Sequence, residues 1–305
     1  MPNRMRRPRN RNKKPSSAPR LQGGGANLSG NKFKLPRGVY YDSHFLSAQN
    51  KAEILKWLSG IFPIWEMRYS AHNPPPDGQS QRSLLRPVYW LGNWQFACLD
   101  YYHPPKNVEN CCVEAEPFPH CLQYLVQQME DIVRETFETR DIPRGWHLNT
   151  CLINYYGHKI EGDKKIDTAR VGEHRDFEPG PVASLSLGER AFFQFVSSRK
   201  IGSRDSVAFE QWLDDSSLQI FGGHRFKSEL FHRVQRVEKK NNSVWRFNVA
   251  DFETRRINFT FRYVPDEHVI AYSQLPSEKA EDIRPYLQKL AEKSEFFKMA
   301  LSKRR

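Results

Sequence analysis

Two histidines and an aspartate have the residue types and the spacing of a metal site. His174 and Asp176 stand two residues apart in the run GEHRDFE, so on an extended strand both project from the same face. His232 lies further along the chain, in the apolar run FHRV. Two imidazoles and one carboxylate form the facial triad that holds Fe(II) and leaves positions open for a cosubstrate and oxygen. A surface His–Asp pair and a buried structural histidine are the alternatives.

The segment from Arg256 to Arg262, RINFTFR, alternates strictly between polar and apolar residues, which predicts a strand with two different faces. Arg256, Asn258, Thr260 and Arg262 share the polar face. That face is either a solvated sheet surface or the inside of a barrel. Inside a barrel the guanidinium groups need an anion to offset their desolvation, and two bidentate forks suit a dicarboxylate. The second interpretation predicts a site for 2-oxoglutarate.

A second segment, NTCLINYY, repeats this logic. Asn154 and Tyr156 face one way as hydrogen-bonding groups, while Ile153 and Tyr155 face the other. We therefore expect Asn154 and Tyr156 to lie beside the arginine strand and to complete the same cosubstrate site.

An aromatic block, YWLGNWQF, precedes these motifs and has two interpretations. Its rings pack beneath a sheet, because Trp and Tyr supply much buried area. Alternatively, Arg86 and one of Tyr89, Trp90 and Trp94 contact a substrate.

Cysteines and histidines between residues 98 and 121 offer a different metal site. They are Cys98, His103, Cys111, Cys112, His120 and Cys121. Their spacing fits no regular C-x-x-C pattern, so the sequence does not favour zinc.

Hydrophobic periodicity predicts the elements that position these residues. One helix begins near Ser47, and a second covers Leu122–Phe137. From Trp146 to Val264 the period changes to two, and short strands separated by turn residues predict a β-sandwich or barrel. A C-terminal helix is predicted from Ser277, started or interrupted at Pro285.

Positive charge is concentrated at the start of the chain. Eleven of the 47 Lys and Arg residues precede Asp42 with no acid among them, which leaves 36 basic against 35 acidic residues elsewhere. Residues 1–40 are also rich in Pro, Asn, Ser and Gly, so we predict a disordered tail. It is either a solubilising extension or an arm that attracts polyanions.

The remaining composition excludes some classes of protein. No stretch approaches the roughly 18 apolar residues of a membrane span, so no membrane partner is expected. An odd number of cysteines, five, and the lack of a secretory signal predict an intracellular protein of the cytoplasm, nucleoid or nucleus.

Five motifs in this order resemble the AlkB family of Fe(II)- and 2-oxoglutarate-dependent dioxygenases. They are CLINYY, HRDFE, PVASLSLGERAFFQF, IFGGHRFKSELFHRV and RRINFTFR, between Cys151 and Arg262. The resemblance implies a mainly β fold with flanking helices around a double-stranded β-helix, or jelly-roll, core. It divides the chain into the tail (1–40), helices with a substrate-recognition lid (41–145), the catalytic core (146–265) and a C-terminal helical segment (266–305).

The same resemblance implies roles for individual residues. His174, Asp176 and His232 ligate Fe(II). Arg256 and Arg262 bind the carboxylates of 2-oxoglutarate, and Asn154, Tyr156 and Asn258 hydrogen-bond it. Glu178 lies where the substrate base is selected. In the lid, one of Tyr89, Trp90 and Trp94 stacks on the flipped base while Arg86 contacts a phosphate.

The implied reaction consumes 2-oxoglutarate and O2, forms succinate and carbon dioxide, and hydroxylates an N-alkyl group that then leaves as an aldehyde. The implied partner is alkylated DNA or RNA, whose target base is flipped into a pocket, and a monomer is expected. Two alternatives remain: a hydroxylase or demethylase of a protein or small molecule, and a non-catalytic nucleic-acid-binding jelly roll.

Overall fold

The computed structural model describes residues 35–101, 112–198, 206–238, 240 and 244–304. Its strands are β1 (Val39–Asp42), β2 (Val88–Leu91), β3 (Asn93–Trp94), β4 (Cys112–Glu114), β5 (Thr150–Glu161), β6 (Lys164–Asp167), β7 (Val171–His174), β8 (Val182–Gly188), β9 (Ala191–Val196), β10 (Val207–Leu213), β11 (Ser217–Phe221), β12 (Phe231–Gln235), β13 (Phe252–Arg262) and β14 (Val269–Ile270). Its α-helices are α1 (Ala48–Leu58), α2 (His120–Thr136), α3 (Ser277–Ala291) and α4 (Glu295–Ser302).

Two antiparallel sheets form the centre of the molecule. The larger has the order β1-β11-β8-β13-β5-β2, with β6 paired to β5, and the smaller has the order β10-β9-β12-β7. Apolar side chains of both sheets, such as Val182 and Phe221 from the larger and Phe193 and Phe195 from the smaller, pack together between them. This arrangement confirms the mainly β fold with a jelly-roll core.

The helices cover the other face of the larger sheet. Phe259 and Phe261 on the apolar face of β13 belong to one buried cluster with Ile54 of α1, Leu125 of α2 and Ile283 of α3. Because one face of β13 is buried against helices, its polar face points toward the smaller sheet. Strict alternation along this strand thus places the arginines between the sheets.

Local signals explain where the helices begin and end. The Ser47 hydroxyl accepts a hydrogen bond from the backbone N–H of Asn50 and caps α1, as predicted. The prediction that Pro285 starts or interrupts the C-terminal helix is wrong, since α3 continues through it. Pro285 is exposed, while its neighbours Ile283 and Leu287 are buried and hold the helix on the core. Helix α3 ends at Ala291, and α4 begins after its N-cap, Ser294.

The segments before and after the predicted core belong to the same unit as the core. Leu35–Arg305 form one compact unit, and β1 and β2 are strands of the larger sheet. Residues 35–40 of the predicted tail are described and include the start of β1 at Val39, while residues 1–34 lie outside the described part of the chain. None of the described helices is long and apolar enough to cross a membrane.

Candidate active site

Strands β7 and β12 bring the three predicted metal ligands together. The two strands pair antiparallel with His174 opposite His232, and their ring centroids are 4.1 Å apart. Asp176 follows β7, and its Oδ2 lies 3.5 Å from His232 Nε2. One ligand atom from each residue lies within 4.8 Å of the other two. This geometry is that of a three-residue metal site rather than of a surface pair and a separate structural histidine.

The polar atoms of this triad fit a divalent cation. His174 Nδ1 donates to the Gly172 carbonyl at 2.8 Å, which leaves its Nε2 lone pair available to a metal. Asp176 Oδ2 is buried and has no hydrogen-bond partner. An orphaned buried acceptor is costly, and coordination to a metal ion removes that cost.

Neighbouring charges set the protonation states that a metal needs. Arg262 Nε and Nη2 donate to Asp176 Oδ1 at 3.0 and 2.7 Å. Burial alone would raise the pKa of Asp176, but the positive charge of Arg262 outweighs it and holds this pKa well below its usual range. Burial lowers the pKa of His174 and lowers that of His232 further. An ionised carboxylate and neutral imidazoles are the ligating forms.

The triad lies in a cavity of about 390 Å³ between the two sheets. All five predicted cosubstrate residues line it: Asn154, Tyr156, Arg256, Asn258 and Arg262. All five come from the neighbouring strands β5 and β13, where Asn154 pairs with Asn258 and Tyr156 with Arg256. The structure thus joins two segments that the sequence separates by about a hundred residues.

Arg256 is the strongest candidate for an anion-binding group in this cavity. Its side chain is 3% exposed, and Nη2 donates to Ser186 Oγ at 3.1 Å. Its Nε and Nη1 have no hydrogen-bond partner. Burial lowers the pKa of Arg256, and a buried cation with two unused donors requires an anion. Arg262 offers one further unused donor, Nη1.

The polar amides beside Arg256 are held in place by protein groups. Asn258 Nδ2 donates to Ser184 Oγ at 2.9 Å and to the Leu185 carbonyl at 3.0 Å. Arg86 Nε donates to Asn154 Oδ1 at 3.0 Å, and the Arg86 guanidinium lies 4.8 Å from the Tyr156 ring centroid. Arg86 therefore belongs to the cavity wall, where the sequence had placed it on a phosphate.

The prediction that Tyr89, Trp90 or Trp94 stacks on a base is wrong. Their exposed fractions are 2%, 1% and 0%, because β2 and β3 are covered on both faces. Trp94 Nε1 donates to Glu66 Oε1 at 2.6 Å, so its polar end is also satisfied inside the protein. The sheet-packing interpretation is the one that the structure supports.

The predicted substrate contact by Glu178 is also wrong. Glu178 is 4% exposed and does not line the cavity. Its Oε1 accepts a hydrogen bond from Gln95 Nε2 at 3.1 Å, and its Oε2 lies 3.6 Å from Arg262 Nε. Glu178 therefore forms an ion pair with Arg262, and Arg262 in turn donates its hydrogen bonds to Asp176.

Sequence reasoning assigned no role to Tyr101, Arg68 or Arg175 at the rim of the cavity. Tyr101 and Phe177 line it, as do Arg68 and Arg175. Phe177 is 47% exposed and so marks where the cavity meets solvent. The available signal was an apolar residue directly after a metal ligand in a polar run.

The zinc interpretation gains no support from the described residues. Within them, the triad is the only group of at least three His, Cys, Asp and Glu residues close enough to hold a metal. Cys98 and Cys112 are buried, while His103 and Cys111 lie outside the described residues.

Comparison with known proteins adds independent information. Residues 38–262 match the family model of the 2OG-Fe(II) oxygenase superfamily. No curated protein matches the chain. Among solved structures, OsALKBH1 has 18% identity and a TM-score of 0.45 over 75% of this chain and 100% of its own. YcfD, a ribosomal oxygenase from Escherichia coli solved with cobalt and succinic acid, has 9% identity and a TM-score of 0.32 over 86% and 66%. A full-length protein from Neurospora crassa, solved in complex with alpha-KG, has 10% identity and a TM-score of 0.37 over 83% and 86%.

Proposed function

Because this chain belongs to the 2OG-Fe(II) oxygenase superfamily, we propose that it is an AlkB-like enzyme that removes alkyl groups from the nitrogen atoms of nucleobases in DNA or RNA. It is an Fe(II)- and 2-oxoglutarate-dependent dioxygenase, as predicted, with O2 as the second cosubstrate. The non-catalytic alternative is therefore wrong. The observation that carries the proposal is one cavity that holds the triad, two arginines with unused donors and an exposed aromatic rim.

His174, Asp176 and His232 are the residues that would hold the iron. When bound, Fe(II) supplies the activation of O2 that oxidises a C–H bond. The protein's part is to keep both imidazoles neutral and the carboxylate ionised, which the burial of His232 and the pairing of Asp176 with Arg262 achieve.

We assign the two carboxylates of 2-oxoglutarate to the two arginines. Arg256 offers Nε and Nη1 side by side, which suits a bidentate carboxylate. Arg262 uses two donors on Asp176, so its Nη1 remains for the carboxylate nearer the metal. Asn154 and Tyr156 complete the pocket around the cosubstrate.

The floor of the cavity consists of the metal triad and the polar residues of β5 and β13 that line it, and the rim consists of Arg68, Tyr101, Arg175 and Phe177. The rim, rather than the floor, supports a nucleic-acid substrate. Arg68 and Arg175 line the cavity and give its rim a positive potential that attracts phosphates. Phe177 adds an exposed ring that suits a base. A protein or small-molecule substrate would use the same floor, so the rival proposals differ only here.

The test is formaldehyde release from matched N-methylated DNA and RNA oligonucleotides, assayed with Fe(II), 2-oxoglutarate and O2. We expect formaldehyde and succinate in equal amounts from at least one of them, and none with His232→Ala. Succinate without formaldehyde from every methylated strand would refute nucleic-acid dealkylation and leave the protein or small-molecule alternative.

A further inference from the structure

We infer that Tyr101 and Phe177 form a stacking site for the base next to the target nucleotide, so that the preferred substrate is a single strand. These two residues are called the aromatic shelf. This inference rests on the proposed function, because it concerns the polymer that carries the target base. It differs from the predicted stacking by Tyr89, Trp90 or Trp94 in both position and role.

The shelf combines one exposed ring, that of Phe177, with a buried ring, that of Tyr101, which supports it. Phe177 is 47% exposed, and its ring centroid lies 5.5 Å from that of Tyr101 at an interplanar angle of 60°. Tyr101 is buried and packs edge-on against Trp90 at 5.3 Å. The buried aromatic block therefore supports the shelf from below. What distinguishes Phe177 from the other exposed apolar side chains is that it lines the cavity of the metal triad, where a planar ligand would cover its ring and remove apolar surface from water.

The position of the shelf relative to the metal ligands decides which base it contacts. Phe177 directly follows Asp176, yet Asp176 is buried beside the imidazoles while Phe177 is exposed. A ring that reaches the triad must therefore pass Phe177 and lie deeper than it. The next base along the strand remains outside, at the level of the shelf.

Two cationic side chains, Arg68 and Arg175, line the same cavity as the shelf. Arg175 precedes Asp176, donates from Nη2 to the Glu229 carbonyl at 2.7 Å, and lies 3.9 Å from the Phe231 ring centroid. Its guanidinium is thereby held at the rim. The lining acid Glu173 is paired with Arg233 at 2.8 Å, which reduces its repulsion of phosphates.

A single strand satisfies these features better than a duplex. In a duplex the neighbouring base is paired and stacked on its own strand, so it cannot lie on a separate ring. In a single strand it is free, and stacking on an aromatic side chain is worth about 1–3 kcal/mol by alanine substitution. Loss of the Phe177 ring should therefore cost roughly tenfold in affinity, which corresponds to about 1.4 kcal/mol.

The experiment compares Phe177→Ala and Phe177→Trp on three methylated substrates: a mononucleotide, a single-stranded pentamer and a 15-base-pair duplex, each as DNA and RNA. For Phe177→Ala we expect kcat/KM to fall about tenfold on the pentamer and less than twofold on the mononucleotide. Phe177→Trp should restore the pentamer rate. The wild type should favour the pentamer over the duplex, and Phe177→Ala should narrow that preference. Tyr124→Ala, at a 66% exposed ring on α2, is the matched control.

Binding provides a measurement that does not depend on turnover. The Kd of a fluorescein-labelled, unmodified single strand is measured by anisotropy with the metal-free protein, and Phe177→Ala should raise it about tenfold. An unchanged Kd, or an equal loss of kcat/KM on mononucleotide and pentamer, would overturn the shelf. Absence of formaldehyde from all substrates would instead refute the proposed function, and the Kd comparison would still decide whether the shelf binds a strand.

Discussion

Strand β5 of the cavity floor and strand β2 of the aromatic block are neighbours in one sheet, yet only β5 keeps its polar groups for a ligand. Asn154 of β5 faces the cavity, and its register partner on β2 is the buried Val88. β5 and β13 expose a polar face between the two sheets, whereas β2 is buried on both faces. Position within the sheet, rather than residue type, separates a binding surface from a core.

Each region contains a buried carboxylate, and the two behave in opposite ways. Arg262 holds the pKa of Asp176 well below its usual range, against the effect of burial. Burial raises the pKa of Glu66 to about 7, against hydrogen bonds donated by Ala97 and Trp94. Those donors are neutral. A full positive charge beside the carboxylate is what keeps the floor ionised and ready for a metal.

The largest effect is expected at the floor. His232→Ala removes one of the three proposed metal ligands, so iron binding and turnover should fall to background while the fold survives. Iron content measures iron binding, succinate formation measures turnover, and circular dichroism shows whether the fold survives. Near-native succinate formation by this variant would show that the triad assignment is wrong.

The aromatic block should respond in the opposite way. Trp94→Ala removes a fully buried ring whose centroid lies 4.9 Å from that of Phe96 in a stacked arrangement. The free energy of unfolding should therefore fall by about 3–5 kcal/mol. At a temperature where the variant is folded, its KM for 2-oxoglutarate should stay within twofold of the wild type. Urea denaturation and steady-state kinetics test both points. A selective loss of substrate binding at native stability would return Trp94 to substrate recognition.

The floor could be predicted from the sequence because its signals are local. Strict alternation from Arg256 to Arg262 and the two-residue spacing of His174 and Asp176 report directly which side chains share a face. The aromatic block carries no such signal, because its residues are apolar enough for either a core or a stacking surface. Only the pairing of β2 with β5 decides between them.

Other features required long-range contacts that no sequence pattern contains. Glu178 turns away from the cavity because Gln95 and Arg262 hold its two oxygens, and Gln95 is distant in sequence. Strand β10 was not predicted, although it pairs with β9 along most of its length. Pro285 was expected to start or interrupt a helix that tertiary packing keeps continuous.

Glu66 provides a pH test of the difference between the two carboxylates. Its folded pKa of about 7 lies above the ordinary value of 4.5, so its favourable contribution is complete at low pH and is lost as the pH rises through 7. Glu66→Gln cannot ionise. The free energy of unfolding of the wild type, relative to this variant, should therefore fall by about 3 kcal/mol between pH 4.5 and 8. The free energies of unfolding of both proteins are measured by urea denaturation across this pH range. If the difference between them did not change with pH, the raised pKa of Glu66 would be contradicted.

The smallest effect is expected from a conservative change at the floor. Arg256→Lys keeps the positive charge but loses the two adjacent donors, Nε and Nη1, that a carboxylate would use. A hydrogen bond to a charged group is worth about 1.5–3 kcal/mol, so the KM for 2-oxoglutarate should rise about tenfold or more. Affinity for an oligonucleotide should be unchanged, because Arg256 lines the inside of the cavity and is 3% exposed. Isothermal titration with 2-oxoglutarate and anisotropy with a labelled strand separate the two effects. An equal loss of oligonucleotide binding would make Arg256 a phosphate contact and would remove the distinction between floor and rim.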